Sequence, residues 1–328
     1  MESAMPTMLD DIPPVLFQIL VFVYGACIGS FLNVCIYRIP VNRSVVTPGS
    51  HCACGKPIVW YDNIPILSWL ILRGHARCCG RYFSIRYPLV ELLTGGLFLL
   101  SWMTNPPLAA IAGMVFISLM VGASFIDYDT KTIPDLFAVG GLFAGVILAV
   151  FIPSMHGFAD GMYVVDAFRS FVYAVEGALI GSALILWIRV FGEIIMRREA
   201  MGFGDITLMG AIGAFCGWKG AVFAVFGGAV LGTLAYLLGM VLSKIFPAKA
   251  DDTLTSPTSV AFAELQHSAG GEEPSEPEDL PPVQWEGDPM QIPFGPSLAA
   301  AGVLYFTVMR GPVDAYFAAI TDTFASFQ

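Results

Sequence analysis

The chain has 328 residues, 56% of them hydrophobic and 13% charged, with a formal net charge of −10. Few soluble domains have this composition, and the long uninterrupted apolar runs exclude an ordinary water-facing fold. The charge belongs mostly to one stretch: ten of the 26 acidic residues lie between Asp251 and Asp288, the rest of the chain is close to neutral, and no nucleic-acid surface is expected.

In chain order, the opening MESAMPTMLDDIPP lacks the basic region of a cleaved signal peptide, so the first apolar run is expected to be retained as a helix. Segments 15–37, 87–104, 107–126, 136–153, 171–191, 206–218, 220–243 and 294–309 read as about eight transmembrane helices, judged against the ~20 apolar residues that span a bilayer. No charge falls between Glu91 and Asp127, and Lys219 is the only one from Ile206 to Ser243. NPP at 105–107 splits a longer apolar run into a helical hairpin, because proline interrupts helix hydrogen bonding. The sixth segment is short for a full crossing and is expected to tilt or to sit beside water. The fold class is therefore an all-α polytopic membrane protein, with the lipid bilayer as its first partner.

Loop 38–86 carries Arg38, Arg43, Lys56, Arg73, Arg77, Arg81 and Arg86 against the single acid Asp62, which marks it as cytoplasmic. Alternating sides from there puts Lys131, Arg197, Arg198, Lys244 and Lys249 inside and leaves Arg169, Lys219, Arg310 and both termini outside. The polar links 127–135 and 192–205 then open on the same cytoplasmic face. The expected organisation is an N-terminal tail and first helix (1–37), a small cytoplasmic cysteine-containing loop domain (38–86) and a helical core (87–247). A cytoplasmic linker, acidic, rich in Pro, Ser and Gly and without a fold of its own (248–290), and a last helix with a C-terminal tail (291–328) complete it.

Cys27, Cys35 and Cys216 fall in apolar runs and read as small packing residues. Cys52, Cys54, Cys78 and Cys79 share one polar loop, where a cytoplasmic location favours metal binding over disulfides. His51 and His75 are nearby, so a Cys₄ or a Cys₃His shell is open, as is a loop that holds no metal and folds against the helices.

The acidic residues at the helix boundaries carry the chemistry. Link 127–135 reads DYDTKTIPD, with Asp127 and Asp129 closing the third segment and Asp135 opening the fourth; link 192–205 ends in GFGD. Acids at a membrane boundary are costly and mark candidate functional sites. Two adjacent carboxylates that share a proton are the equipment of aspartyl proteolysis, in which one activates water and the other polarises the scissile carbonyl. Gly202 and Gly204 permit the close backbone approach that an accepted peptide needs. Each acid also has a plain structural reading: Asp205 as a helix N-cap, Asp135 as a first-turn acid, Asp127 or Asp129 as solvated loop charge.

GFGD ahead of an apolar helix, with FIDYDTKTIPD one helical hairpin earlier, resembles the GxGD membrane aspartyl peptidases. GSFLNVCIYRIP (29–40), WYDNIPILSWLILRG (60–74), SIRYPLVELLTGGLF (84–98), EAMGFGDITLMGAIGAFCGW (199–218) and IPFGPSLAAAG (292–302) narrow the resemblance to the type IV prepilin leader peptidases. The resemblance implies removal of the leader of type IV prepilins or pseudopilins at the cytoplasmic face of a bacterial inner membrane. It places the two catalytic aspartates on Asp127, seven residues before the Pro of IPD, and on Asp205. It further implies N-methylation of the new N-terminus with S-adenosylmethionine, which would involve 29–40 and 84–98, including Glu91. Glu91 read alone is equally a buried partner for a loop arginine such as Arg86. A structural zinc site on Cys52, Cys54, Cys78 and Cys79 is implied too, although Cys52–x–Cys54 is shortened and Ala76 stands where a cysteine would align. The helix termini suggest different protonation of the pair, since Asp127 ends a helix and Asp205 begins one. Two readings from other classes stand beside the enzyme. One is a proton- or cation-coupled transporter, against which no inverted repeat is visible; the other is a non-catalytic scaffold of a secretion machine.

Overall fold

A backbone in lipid has no water to satisfy its N–H and C=O groups, so apolar segments of this chain are driven into helices. A computed structural model describes residues 14–52, 54–159, 161–197, 202–245 and 294–326. The N-terminal tail and the linker 248–290 lie outside the described residues. The helices are α1 (Pro14–Arg38), α2 (Leu67–Leu72), α3 (Arg86–Thr104), α4 (Pro107–Thr130), α5 (Asp135–Phe151), α6 (Tyr163–Met196), α7 (Phe203–Ile245), α8 (Gly295–Leu304) and α9 (Arg310–Ala325). Two isolated bridges, His51 with Pro57 and His75 with Tyr82, are the β-structure among the described residues. The chain is an all-α membrane protein, and each of the eight apolar segments is helical.

Four helical stretches, Val15–Val41, Pro107–Thr130, Tyr163–Ile195 and Phe203–Leu242, are long and apolar enough to cross a membrane; Asp135–Phe151 is apolar and shorter. Large side chains on their outer faces, such as Ile19, Leu20 and Val23 of α1 and Val164, Phe168 and Leu179 of α6, are exposed, as a lipid-facing surface requires. Helix contacts in such a setting depend on close packing rather than on a hydrophobic drive. Small residues supply it: Gly25 and Gly29 of α1 lie against Gly95 and Glu91 of α3, and Gly177 of α6 lies against Gly213 of α7.

The longest helical stretch is not one rod. Gly217 has φ 69° and ψ −179°, a conformation outside the helix that is essentially reserved for glycine. A Cβ on Gly181 of α6 would stand 2.8 Å from the Met209 carbonyl oxygen and 3.3 Å from Ala221 Cβ. A straight helix would separate those two residues by about 18 Å. The arms 203–216 and 218–245 therefore fold back on each other, matching the two separate segments, 206–218 and 220–243, expected on either side of Lys219. The returning arm packs on α8, with Gly228 against Leu298 and Gly232 against Ser297.

Two elements run beyond the expected spans. Helix α6 continues past both ends of 171–191, and a π-helical turn, Tyr305–Met309, leads from α8 directly into α9, where only a tail was expected. Helix α9 docks on the Gly217 reversal: Lys219 Nζ is 3.1 Å from Asp314 Oδ1, and the Trp218 and Phe317 rings meet edge-on at 5.1 Å.

Candidate active site

Helix α4 delivers Asp127 in its last turn and stops at Lys131, which takes a left-handed conformation and donates its N–H to the Asp127 carbonyl at 2.9 Å. Pro134 precedes α5, where Asp135 is an exposed first-turn acid, in keeping with its plain structural reading. Asp205 is the third residue of α7, inside the first turn rather than at the cap, and its carboxylate reaches back to the Gly202 amide. That reach is the carboxylate half of a capping box. Asp127 and Asp205 are only 6% and 8% exposed, and their charges interact.

A third segment completes the site. A Cβ on Gly295, the first residue of α8, would stand 2.6 Å from Asp127 Oδ2 and 3.1 Å from Ile133 Cδ1. One on Gly204 would stand 3.1 Å from Ile133 Cβ. Ile133 of the TIPD link is thus wedged between the glycines of GFGD and PFGP, and the Gly295 amide hydrogen-bonds Asp127. Each carboxylate is held by one glycine amide at a helix start. Asp127 Oδ2 has no hydrogen-bond partner among the described residues. Asp127 closes α4 but also faces the N-terminus of α8, whose positive end offsets the α4 terminus on which the expectation of unequal protonation rests.

The loop domain folds as two tight knuckles. Cys52 N–H donates to Lys56 O and Ala76 N–H to Arg81 O, each at 2.8 Å, so both chains reverse and present their cysteines to a common centre. Asp62, the only acid of the loop, clamps the second knuckle through a bidentate pair with Arg77 at 2.9–3.1 Å. The sulfurs of Cys52, Cys54, Cys78 and Cys79 all lie within 4.8 Å of one another, with Cys52–Cys79 at 3.5 Å and Cys54–Cys78 at 3.4 Å. Four thiolates about 2.3 Å from one ion would stand roughly 3.8 Å apart, so this cluster suits a tetrahedral metal. Among the described residues the group able to hold a metal comprises these four cysteines and neither histidine, which favours the four-cysteine shell of the two considered; His51 and His75 turn Nδ1 to the carbonyls of Gly49 and Arg73. The Lys56 amide and the Cys78 thiol pull Cys54 down to about 7, while sharing with Cys52 and Cys54 pushes Cys78 up to about 12.

The comparisons with known proteins bear on this arrangement. Residues 23–105 match the bacterial peptidase A24 N-terminal domain, and residues 114–237 match the type IV leader peptidase family. The prepilin leader peptidase/N-methyltransferase of Klebsiella pneumoniae is 33% identical over 63% of this chain and 88% of its own length. This chain belongs to the type IV leader peptidase family. The prepilin leader peptidase/N-methyltransferase of Myxococcus xanthus is 41% identical over 68% of this chain, but the aligned part spans only 64% of that relative. The type 4 prepilin-like proteins leader peptide-processing enzyme of Escherichia coli is 37% identical over 62% of this chain and 78% of its own length. No solved structure matches.

Within this family framework three features were not legible from motifs. The packing of Gly295 on Asp127 joins residues 168 positions apart, and its only sequence signal is the glycine of PFGP. Glu91 does not pair with Arg86. Its Oε2 accepts the Ile66 N–H at 2.7 Å, and Ile66 is the centre of a γ-turn (φ 63°, ψ −51°) closed by Leu67 N–H to Pro65 O at 2.6 Å. Arg86 instead pairs with Asp129, which is therefore not a solvated loop acid.

Proposed function

We propose that the chain is a membrane aspartyl endopeptidase that removes the leader of type IV prepilins or pseudopilins and methylates the new N-terminus. The observation that carries the reading is the meeting of two buried, interacting carboxylates, Asp127 and Asp205, at the junction of three motif segments. Two such groups share a proton: the ionised one takes a proton from water while the protonated one donates to the scissile carbonyl oxygen. Gly202 leaves room for substrate backbone at the mouth of α7, while the space beside Gly204 is taken by Ile133. The basic loop 38–86 supports a cytoplasmic orientation for the site in a bacterial inner membrane.

Methyl transfer needs S-adenosylmethionine, whose cationic sulfonium carries the methyl group. The donor chemistry fits in charge: Glu91 is a buried carboxylate of α3, hydrogen-bonded by Ile66 and Ser30. In this reading Glu91 contributes the negative charge and the α1–α3 contact excludes water from it. The test is incubation of the detergent-solubilised protein with a synthetic prepilin, with and without S-adenosylmethionine, followed by mass spectrometry. The expected products are a leader-free pilin and, with the donor, the same pilin one methyl group heavier. An uncut substrate sinks the reading, and a cut but never methylated one reduces it to peptidase alone.

Zinc is the proposed ion for Cys52, Cys54, Cys78 and Cys79, as a soft, tetrahedral site predicts. Purified protein is expected to carry about one zinc per chain, and less than roughly 0.2 removes the site. Because thiolates are the ligands, zinc affinity should weaken as pH falls, and binding should release the proton that Cys78 otherwise retains.

A further inference from the structure

We propose that Arg86 and Asp129 form a brace behind the turn that carries Asp127, positioning that carboxylate for proteolysis. Arg86 Nη1 and Nη2 donate to Asp129 Oδ1 and Oδ2 at 2.8 and 2.6 Å, a parallel two-bond fork. Nη2 also reaches the Phe125 carbonyl at 3.5 Å, and the guanidinium lies 5.2 Å from the centre of the Phe125 ring. The Asp129 side chain is 7% exposed and that of Arg86 25%.

The register gives this pair its meaning. Phe125 and Asp129 are four residues apart and share a face of α4, while Asp127 lies two residues from each and points about 200° away. Arg86 therefore grips the back of the turn whose front presents Asp127. That turn is the last of α4, beyond which the chain turns left-handed at Lys131, and terminal turns are where helices fray. A cation at a helix C-terminus also complements the unpaired carbonyls there. Stability alone does not call for such a pair, since apolar side chains of similar volume usually replace a buried ion pair without loss. What a planar fork adds is geometry, and a reacting group displaced by about 1 Å can lose two orders of magnitude in rate. Arg86 also opens α3, directly after the cysteine loop, whose Ile66 amide is held by Glu91 one turn further along. The loop domain is thereby fastened to the same short stretch of α3 that braces the site.

The inference rests on the peptidase reading, and the experiment separates the two. Wild type, Asp127→Asn, Arg86→Lys and the paired variant Arg86→Met with Asp129→Leu are assayed in detergent for cleavage of a synthetic prepilin, with kcat, KM and melting temperature measured for each. Arg86→Lys keeps the charge and loses the fork; the paired variant keeps the packing and loses both charges. Both are expected to lower kcat roughly 10–100-fold with KM changed less than about threefold. If the paired variant melts early, Arg86→Lys alone decides. Wild-type kcat in a folded Arg86→Lys or paired variant overturns the brace and leaves the peptidase standing, whereas wild-type protein that cuts no prepilin overturns the peptidase reading itself.

Discussion

Asp127→Asn and Asp205→Asn should each abolish leader cleavage, by at least about a thousandfold in kcat, because each removes one of two groups that act as a unit. Asparagine keeps the size and most of the hydrogen bonding of aspartate, so Gly202 and Gly295 can still donate to the side-chain oxygen and the fold should persist. What is lost is a carboxyl that can take or give a proton. The double variant should be no worse than either single one, the signature of residues sharing a step. Gly295→Ala supplies a graded companion. Its Cβ would meet Asp127 Oδ2 at 2.6 Å, and the neighbour on the other side, Ile133, is itself pinned by Gly204. The carboxylate must shift, so kcat is expected to fall at least tenfold while both aspartates remain. Prepilin processing followed by gel shift and mass spectrometry reads all four. Full processing by either asparagine variant ends the dyad.

Much of this architecture is written in the order of apolar and charged residues. Helix positions were legible because every apolar segment must close its own hydrogen bonds, whatever its neighbours do. The reversal was foreshadowed by Lys219, although the residue that makes the turn is Gly217, two positions earlier. Helix α9 was not legible, since Arg310 and Pro312 dilute its apolar pattern, and it is held by partners on another helix, Lys219 and Trp218. The candidate dyad could be placed by motif, but its surroundings could not. Arg86 and Asp129 are 43 residues apart, and either acid of DYD offered a charge to a loop arginine. Glu91 found a backbone amide instead, a partner common to every residue type and so without a signature in sequence.

The largest structural effect is expected at Gly217, twelve residues from Asp205 and far from any proposed chemistry. With φ 69° and ψ −179° it occupies a region that side chains bearing a Cβ scarcely enter, and holding alanine there costs on the order of 1–3 kcal/mol. The added Cβ also overlaps the ring of Tyr173 on α6, an overpacking that typically costs a further 1–3 kcal/mol. Tyr173 has little room to retreat, because His156 and Phe158 meet its ring at 5.2 and 6.0 Å. Gly217→Ala should therefore lower the melting temperature sharply and reduce accumulation in the membrane. Adding Tyr173→Ala should return only the steric share, leaving the backbone penalty, so a double-mutant cycle separates the two. The reversal also has a reach that its position conceals. One arm brings Asp205 to the site; the other packs on α8, whose first residue contacts Asp127. Loosening the turn should thus misalign both carboxylates at once, and surviving Gly217→Ala protein should cleave slowly even where it remains folded. Unchanged melting and cleavage in that variant would mean that the two arms are held apart from the turn, by α6 and α8 alone.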